Sequence, residues 1–238
     1  MIPKIIHYCW FGGNPLPYEV KQCIKSWKKY APDFEIIEWN ETNFDVKAHA
    51  FSEKAYKEKA WAFVSDYARL RVVYDHGGVY LDTDVELLKP INKLLDHSFY
   101  IGVQQGNEFP TTGLGFGAEK ESVIVKEMME QYDSVQFNKA EMKTFACPYL
   151  NSKVLYKYGY VYSDEIWKKN DVYVYPPKYF DPLSPGDSEN LMCNDTYSIH
   201  HYSASWTSKS YVLRRRLFRF VGEHNIHKIK MLLKNNVI

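Results

Sequence analysis

The sequence predicts an α/β fold, and the opening residues carry that prediction. Ile5-Ile6-His7-Tyr8-Cys9-Trp10-Phe11 is a compact apolar run broken by Gly12-Gly13-Asn14-Pro15, the pattern of a buried strand feeding a turn. Residues 18–30 then place Val20, Cys23, Ile24 and Trp27 at helical intervals, and Pro32 interrupts them before a second strand candidate, Phe34-Glu35-Ile36-Ile37-Glu38-Trp39. Strand, helix, strand in that order is the unit from which a sheet flanked by helices is built.

The next stretch, residues 48–74, is rich in helix formers. One helix or two would both fit, because Ser65-Asp66 has the chemistry to cap a new helix inside it. On a helix running from Asp66 to Tyr74, Asp66 and Arg69 lie three apart and share a face. His76-Gly77-Gly78 ends that helix, Val79-Tyr80-Leu81 reads as a short strand, and Asp82-Thr83-Asp84 falls at the strand's end. Further along, a strand is expected at 99–103, a glycine-rich bend at 112–117, a helix at 119–132 and an extended proline-rich excursion over 171–187. No internal repeat is present. The expected organisation is one catalytic domain, residues 1–208, followed by a basic helical extension, residues 209–238.

Composition narrows the function. The 238 residues are 45% hydrophobic and 25% charged, which excludes disordered and collagenous classes. The 30 Lys and Arg nearly cancel the 29 Asp and Glu, so no nucleic-acid partner is expected. Charge is uneven along the chain, however: from Lys209 onward eight basic residues face a single acidic one, Glu223. That tail interleaves Arg214, Arg215, Arg216 and Arg219 with apolar residues, which suits either a helical pair packed on the domain or peripheral contact with an anionic membrane. With 20 Tyr and 6 Trp, aromatic faces are available for packing or for stacking on sugars and bases. The four cysteines show no CxxC spacing and no run is long enough for a bilayer span, so the expected location is cytoplasmic, free or peripheral on the inner face of the membrane.

Asp82 and Asp84 are the sharpest local signal. Two carboxylates two residues apart at a strand end supply hard oxygen ligands for Mn²⁺ or Mg²⁺, and such an ion neutralises a diphosphate leaving group. A solvated turn is the competing explanation of a DxD triplet taken alone. Gly12-Gly13 does not form GxGxxG, which argues against a nicotinamide cofactor.

The contiguous stretch from Ser65-Asp66-Tyr67-Ala68-Arg69 through Gly77-Gly78-Val79-Tyr80-Leu81-Asp82-Thr83-Asp84 resembles the signature of the GT-A glycosyltransferases that include Och1-like mannosyltransferases, capsule and lipopolysaccharide sugar transferases, and the glucosylating domains of large clostridial toxins. The run from Ile5 to Gly13 and the string His200-His201-Tyr202-Ser203-Ala204-Ser205-Trp206 resemble that family too. The resemblance implies a GT-A nucleotide-sugar-binding fold with a mixed central sheet flanked by helices. It implies that Trp10 stacks on the donor base and that Gly12 lets the nucleotide pass closely. By the same resemblance Asp66 and Arg69 sit beneath the donor sugar, Asp82 contacts the donor's ribose or sugar, and Asp84 binds the metal. His201 is expected as a further metal ligand, with His200 the alternative, and Trp206 as an indole donor to the leaving group. Relatives carry an Asn near the glycine bend, where this chain has Thr112.

These expectations describe a metal-dependent, retaining transferase. It would move a hexose from a nucleotide-diphosphate sugar, first UDP-galactose or UDP-glucose, to an oligosaccharide or lipid-linked glycan acceptor of a cell-surface polysaccharide. Two other readings of the same residues are a metal-dependent sugar nucleotidyltransferase and a noncatalytic carbohydrate-binding protein.

Overall fold

The computed structural model describes residues 1–106, 108–184 and 189–203. The chain opens with β1 (Ile5–Cys9), α1 (Tyr18–Tyr30) and β2 (Glu35–Trp39), then α2 (Ala50–Lys57), α3 (Trp61–His76) and β3 (Gly78–Tyr80). After the Asp82-Thr83-Asp84 turn come β4 (Val85–Leu87), β5 (Phe99–Gly102), β6 (Phe116–Ala118), α4 (Val123–Asp133), α5 (Cys147–Lys157), β7 (Trp167–Lys169), β8 (Val172–Tyr175) and β9 (Ser198–His200).

Seven strands form one sheet in the order β2-β1-β3-β6-β5-β8-β7, and β4 pairs separately with β9. The sheet is mixed: β2, β1 and β3 are mutually parallel, β6 runs antiparallel to both its neighbours, and β5 is parallel to β8. Helices cover both faces. Val64, Leu70 and Val73 of α3 pack with Val125 and Met128 of α4 and Leu150 and Val154 of α5 in one core. Cys23 and Trp27 of α1 pack with Leu94, Leu95 and Phe180 in the other. This is the α/β class expected from the sequence, with the sheet order set by packing over long sequence separations.

The helical section 48–74 is two helices. Lys59, in a left-handed conformation (φ 56°), lies between them, and α3 starts four residues before Ser65. Ser65 therefore does not cap a helix; its hydroxyl donates back to the Trp61 carbonyl at 3.1 Å. The proline-rich stretch expected to be extended includes β8 and a helical turn, Pro177–Phe180, with Pro177 at the first turn where its missing N–H costs nothing.

The turn from α3 into β3 fixes where the acidic pair emerges. Gly77 (φ 67°) ends α3, and Gly78 (φ 107°) runs so close to β1 that a Cβ there would lie 2.8 Å from the Ile5 carbonyl oxygen. His7 ties this corner together. Its Nδ1 accepts from the Trp39 indole at 3.0 Å, so its Nε2 carries the hydrogen and donates to the Gly77 carbonyl at 2.8 Å. Burial holds His7 down at about 4, which keeps it neutral and structural.

On the other face, α1 anchors the far side of the acidic turn. The fully buried Trp27 donates its indole N–H to the Val85 carbonyl at 2.8 Å, and the Ser26 hydroxyl accepts from Leu87 N at 2.9 Å. Asp82-Thr83-Asp84 is thus held between β3 and a strand start clamped by α1. Replacing Trp27 with Ala should lower the free energy of unfolding by about 3–5 kcal/mol in urea titrations. A loss under about 1 kcal/mol would show that this anchor does not hold β4.

Candidate donor-sugar and metal site

Asp66 and Arg69 lie on the same face of α3, and the carboxyl end of β3 brings Asp82 to them. One Arg69 nitrogen, Nη2, is 2.9 Å from Asp66 Oδ1 and 3.3 Å from Asp82 Oδ1. Arg69 Nε donates to the Ser65 carbonyl at 3.1 Å, which locks the guanidinium plane. Tyr80, the last residue of β3, donates its hydroxyl to Asp82 Oδ1 at 3.0 Å, and its ring lies under the guanidinium with 5.0 Å to the centroid.

This is a buried ionic group. The Arg69 side chain is 4% exposed, that of Asp66 11% and that of Asp82 25%. Burial pushes Asp66 up to about 6 against the opposing pull of Arg69, with the Asp82 charge adding to the rise. Burial also raises Asp82, again against Arg69 and with Asp84 pushing the same way as burial. Arg69 stays charged: burial works against its charge, but Asp82 and its other neighbours hold it well above its ordinary value.

Asp84 and His200 extend the group. His200 Nε2 is 3.0 Å from Asp84 Oδ1, and ligand atoms of Asp82, Asp84 and His200 all lie within 4.8 Å of one another. Burial disfavours the charged imidazole, but the Asp84 carboxylate outweighs it and the net shift of His200 is upward. Two carboxylates and one imidazole at this spacing fit a divalent cation of the Mn²⁺ or Mg²⁺ kind.

His201, the ligand expected from sequence, is placed elsewhere: its Nε2 lies 2.8 Å from Glu86 Oε2. β9 pairs antiparallel with β4 in the register Val85↔His200, which brings His201 alongside Asp84, whose carbonyl accepts from His201 N at 2.9 Å. Trp206 and the 209–238 extension lie outside the described residues.

The carboxyl ends of the parallel strands continue the site. Gly12, Gly13, Asn14, Glu41, Tyr56 and Trp61 line a cleft of about 610 Å³ beyond the ends of β1 and β2, the edge where open α/β sheets bind ligands. Glu41 organises it by accepting from Gly12 N at 2.7 Å and from the Tyr56 hydroxyl at 3.1 Å. Gly12 is required there, since a Cβ would lie 2.7 Å from Trp61 Cε2. Trp10 is partly buried against the α1-side core, with its indole donating to the Asn14 carbonyl at 2.6 Å.

Sequence reasoning missed Tyr80, Glu41, Tyr56 and Trp61. Tyr80 had a signal, its alternation with Asp82 on one side of the strand. The others come from separate loops and helices and meet only through the fold.

In sequence and in fold the chain resembles known glycosyltransferases. Residues 17–100 match the family described as the glycosyltransferase sugar-binding region containing the DXD motif. An uncharacterized glycosyltransferase of Acanthamoeba polyphaga mimivirus is 24% identical over 218 residues, 87% of this chain and 84% of that relative. Inositol phosphoceramide mannosyltransferase 1 of Schizosaccharomyces pombe is 30% identical over 111 residues, 42% of this chain and 33% of the relative, so the match spans a third of that protein's length. Among solved structures, the PaToxG glycosyltransferase superposes with a TM-score of 0.55 at 20% identity, over 66% of this chain and 70% of that one, a likeness of fold.

Burial separates this ionic group from an ordinary surface pair. Arg69→Met should lower unfolding free energy by about 3–5 kcal/mol, because Asp66 and Asp82 lose their shared counter-ion. An exposed helical pair would contribute only about 0.3–0.5 kcal/mol. Chemical denaturation of the two proteins distinguishes these values, and a loss of the smaller size would contradict the buried arrangement.

Proposed function

We propose that the chain is a glycosyltransferase of the DXD-containing kind matched over residues 17–100, and that it transfers a hexose from a nucleotide-diphosphate sugar to a glycan hydroxyl, with retention at the anomeric carbon and dependence on a divalent cation. The observation that carries this reading is the array Asp66–Arg69–Asp82, with Asp82, Asp84 and His200 within reach of one cation, at the same carboxyl-end edge of the parallel strands as the cleft at Gly12 and Trp61.

In this reading the nucleoside occupies the cleft of Gly12, Tyr56 and Trp61, with Trp10 beside it. Asp82, Asp84 and His200 would hold Mn²⁺ or Mg²⁺, which supplies charge neutralisation at the diphosphate. Asp66 accepts hydrogen bonds from hexose hydroxyls, and Arg69 orients Asp66 while donating toward the donor. The bond from C1 to the diphosphate oxygen breaks as the acceptor oxygen bonds C1 on the same face, and the acceptor proton passes to the departing phosphate oxygen. Asp66 thus orients the sugar and is not a general base. Trp206 is assigned to the leaving group from sequence.

UDP-galactose and UDP-glucose are the first donors assigned. The match to an inositol phosphoceramide mannosyltransferase supports adding a mannosyl donor, and a lipid-linked acceptor alongside capsule and lipopolysaccharide oligosaccharides. No helix among the described residues is long and apolar enough to cross a membrane. The basic residues from Lys209 onward support peripheral contact with an anionic inner membrane face, which would bring a lipid-linked acceptor to the site.

Purified enzyme with UDP- and GDP-sugars and Mn²⁺ should give mass-resolved transfer to an oligosaccharide panel, abolished by a chelator and restored by metal. Asp84→Asn should lower turnover at least about 100-fold at saturating donor and metal. Near-normal turnover of that variant would overturn the assignment.

A further inference from the structure

The outer face of α1 carries a charge pattern that neither the core nor the proposed transfer uses. Val20, Cys23 and Trp27 bury the inner face, while Lys21, Lys25, Lys28 and Lys29 are exposed on the other, three or four residues apart along one stripe. Tyr18, 72% exposed, stands at the head of that stripe, three residues before Lys21. Glu19 is the single acidic residue of the helix, and its neighbours one turn on are Gln22 and Cys23, not the lysines. On α2 and α4 the exposed Lys57 and Lys126 each face a glutamate four residues away. On α1 the neighbours at that spacing are other lysines, Lys21 with Lys25 and Lys25 with Lys29, and Lys28 lies three residues beyond Lys25. Like charges so placed destabilise a helix. The helix dipole accounts for Lys28 and Lys29, which lie in the last turn, but not for Lys21 near the start.

We propose that this face of α1 is a docking surface for an anionic phospholipid bilayer, with the four ammonium groups among the lipid phosphates and Tyr18 at headgroup level. Three features favour a bilayer over a nucleic acid. The basic groups are all lysine, compact point charges drawn to a diffuse negative surface, without the planar fork with which arginine reads a single phosphate. They lie along the ridge of one helix about 20 Å long, which presents them to a plane, whereas a nucleic-acid strand is tracked by a groove. Tyr18 joins an apolar ring to a polar tip, the chemistry of the lipid–water boundary. The stripe belongs to a different part of the chain from the basic residues after Lys209, and its helix is already fixed in the core by Trp27, so docking requires no new folding. α1 begins four residues after Asn14, which lines the cleft with Gly12 and Gly13. Docked through this face, the protein holds that edge of the cleft close to the headgroups, where a lipid-linked acceptor of the proposed reaction is presented.

The test measures co-sedimentation of the full-length protein with vesicles of phosphatidylcholine, alone or mixed with phosphatidylserine at about 3:1. The wild type should bind the anionic vesicles and not the neutral ones, and more weakly as salt rises toward physiological strength. A lysine near an anionic surface contributes about fivefold in affinity, so the combined Lys21→Gln, Lys25→Gln, Lys28→Gln variant should bind at least about 30-fold more weakly. That variant should melt no lower than the wild type, because the repulsion along the stripe is removed. Tyr18→Ala should lose about threefold. Duplex DNA is titrated in parallel. Failure of the wild type to bind anionic vesicles, equal binding to neutral ones, or wild-type affinity in the glutamine variant overturns the proposal. Tighter lysine-dependent binding of duplex DNA than of vesicles overturns it as well, and an unchanged Tyr18→Ala affinity removes Tyr18 from the surface. Neither donor nor acceptor enters the assay, so failure of the transferase reading leaves this result standing.

Discussion

Three carboxylates, those of Asp66, Asp82 and Asp84, are gathered at the edge of the sheet with limited access to water, and Arg69 and His200 stand against them. The rest of the structure follows from that constraint. Buried like charges are tolerable only when a cation is close and fixed, and one removed partner leaves an uncompensated charge. Arg69 meets the condition for Asp66 and Asp82 because its plane is locked by Ser65, Tyr80 and Cys147. At Asp84 the neighbour is an imidazole, whose charge is conditional, and burial raises Asp82, with repulsion from the Asp84 charge acting in the same direction. A divalent cation would relieve it.

The scaffold spends its least forgiving positions on this arrangement. Gly78 lets β3 run against β1, Gly113 lets a loop close on Asp82, and Gly12 lets the β1 loop pass under Trp61. The neutral His7 joins β1, β2 and the end of α3, so the strand ends that carry Gly12, Glu41 and Asp82 are fixed relative to one another. Trp27 does the same for the strand that follows Asp84. Rigid elements on both flanks leave the acidic turn little freedom, which is the condition for electrostatic preorganisation.

Much of this was legible in the sequence because it is local. Asp66, Arg69, Asp82 and Asp84 fall within one helix-turn-strand segment, and the Gly77-Gly78 stop told where the helix would hand over to the strand. The β4–β9 ribbon was not legible: its strands are three residues each, separated by nearly half of the chain, and their pairing leaves no periodic trace. That pairing brings both His200 and His201 next to Asp84, so the different carboxylates they meet could not be read from adjacent letters. The contribution of α5 was hidden for a similar reason, since Cys147 and Asn151 are ordinary helix residues until packing brings Thr111 and Thr112 to them. Thr112 itself accepts a hydrogen bond from the Asn151 amide.

The central claim is that the acidic edge beside Arg69 is a divalent-cation site completed by His200. Electron paramagnetic resonance of Mn²⁺, titrated into the folded wild type, His200→Ala and His201→Ala in the presence of a nucleoside diphosphate, tests it directly. The arrangement of Asp82, Asp84 and His200 predicts one bound ion per chain in the wild type and in His201→Ala, and an affinity reduced by about tenfold or more in His200→Ala. Retention of wild-type affinity by His200→Ala, or its loss in His201→Ala alone, would contradict the account.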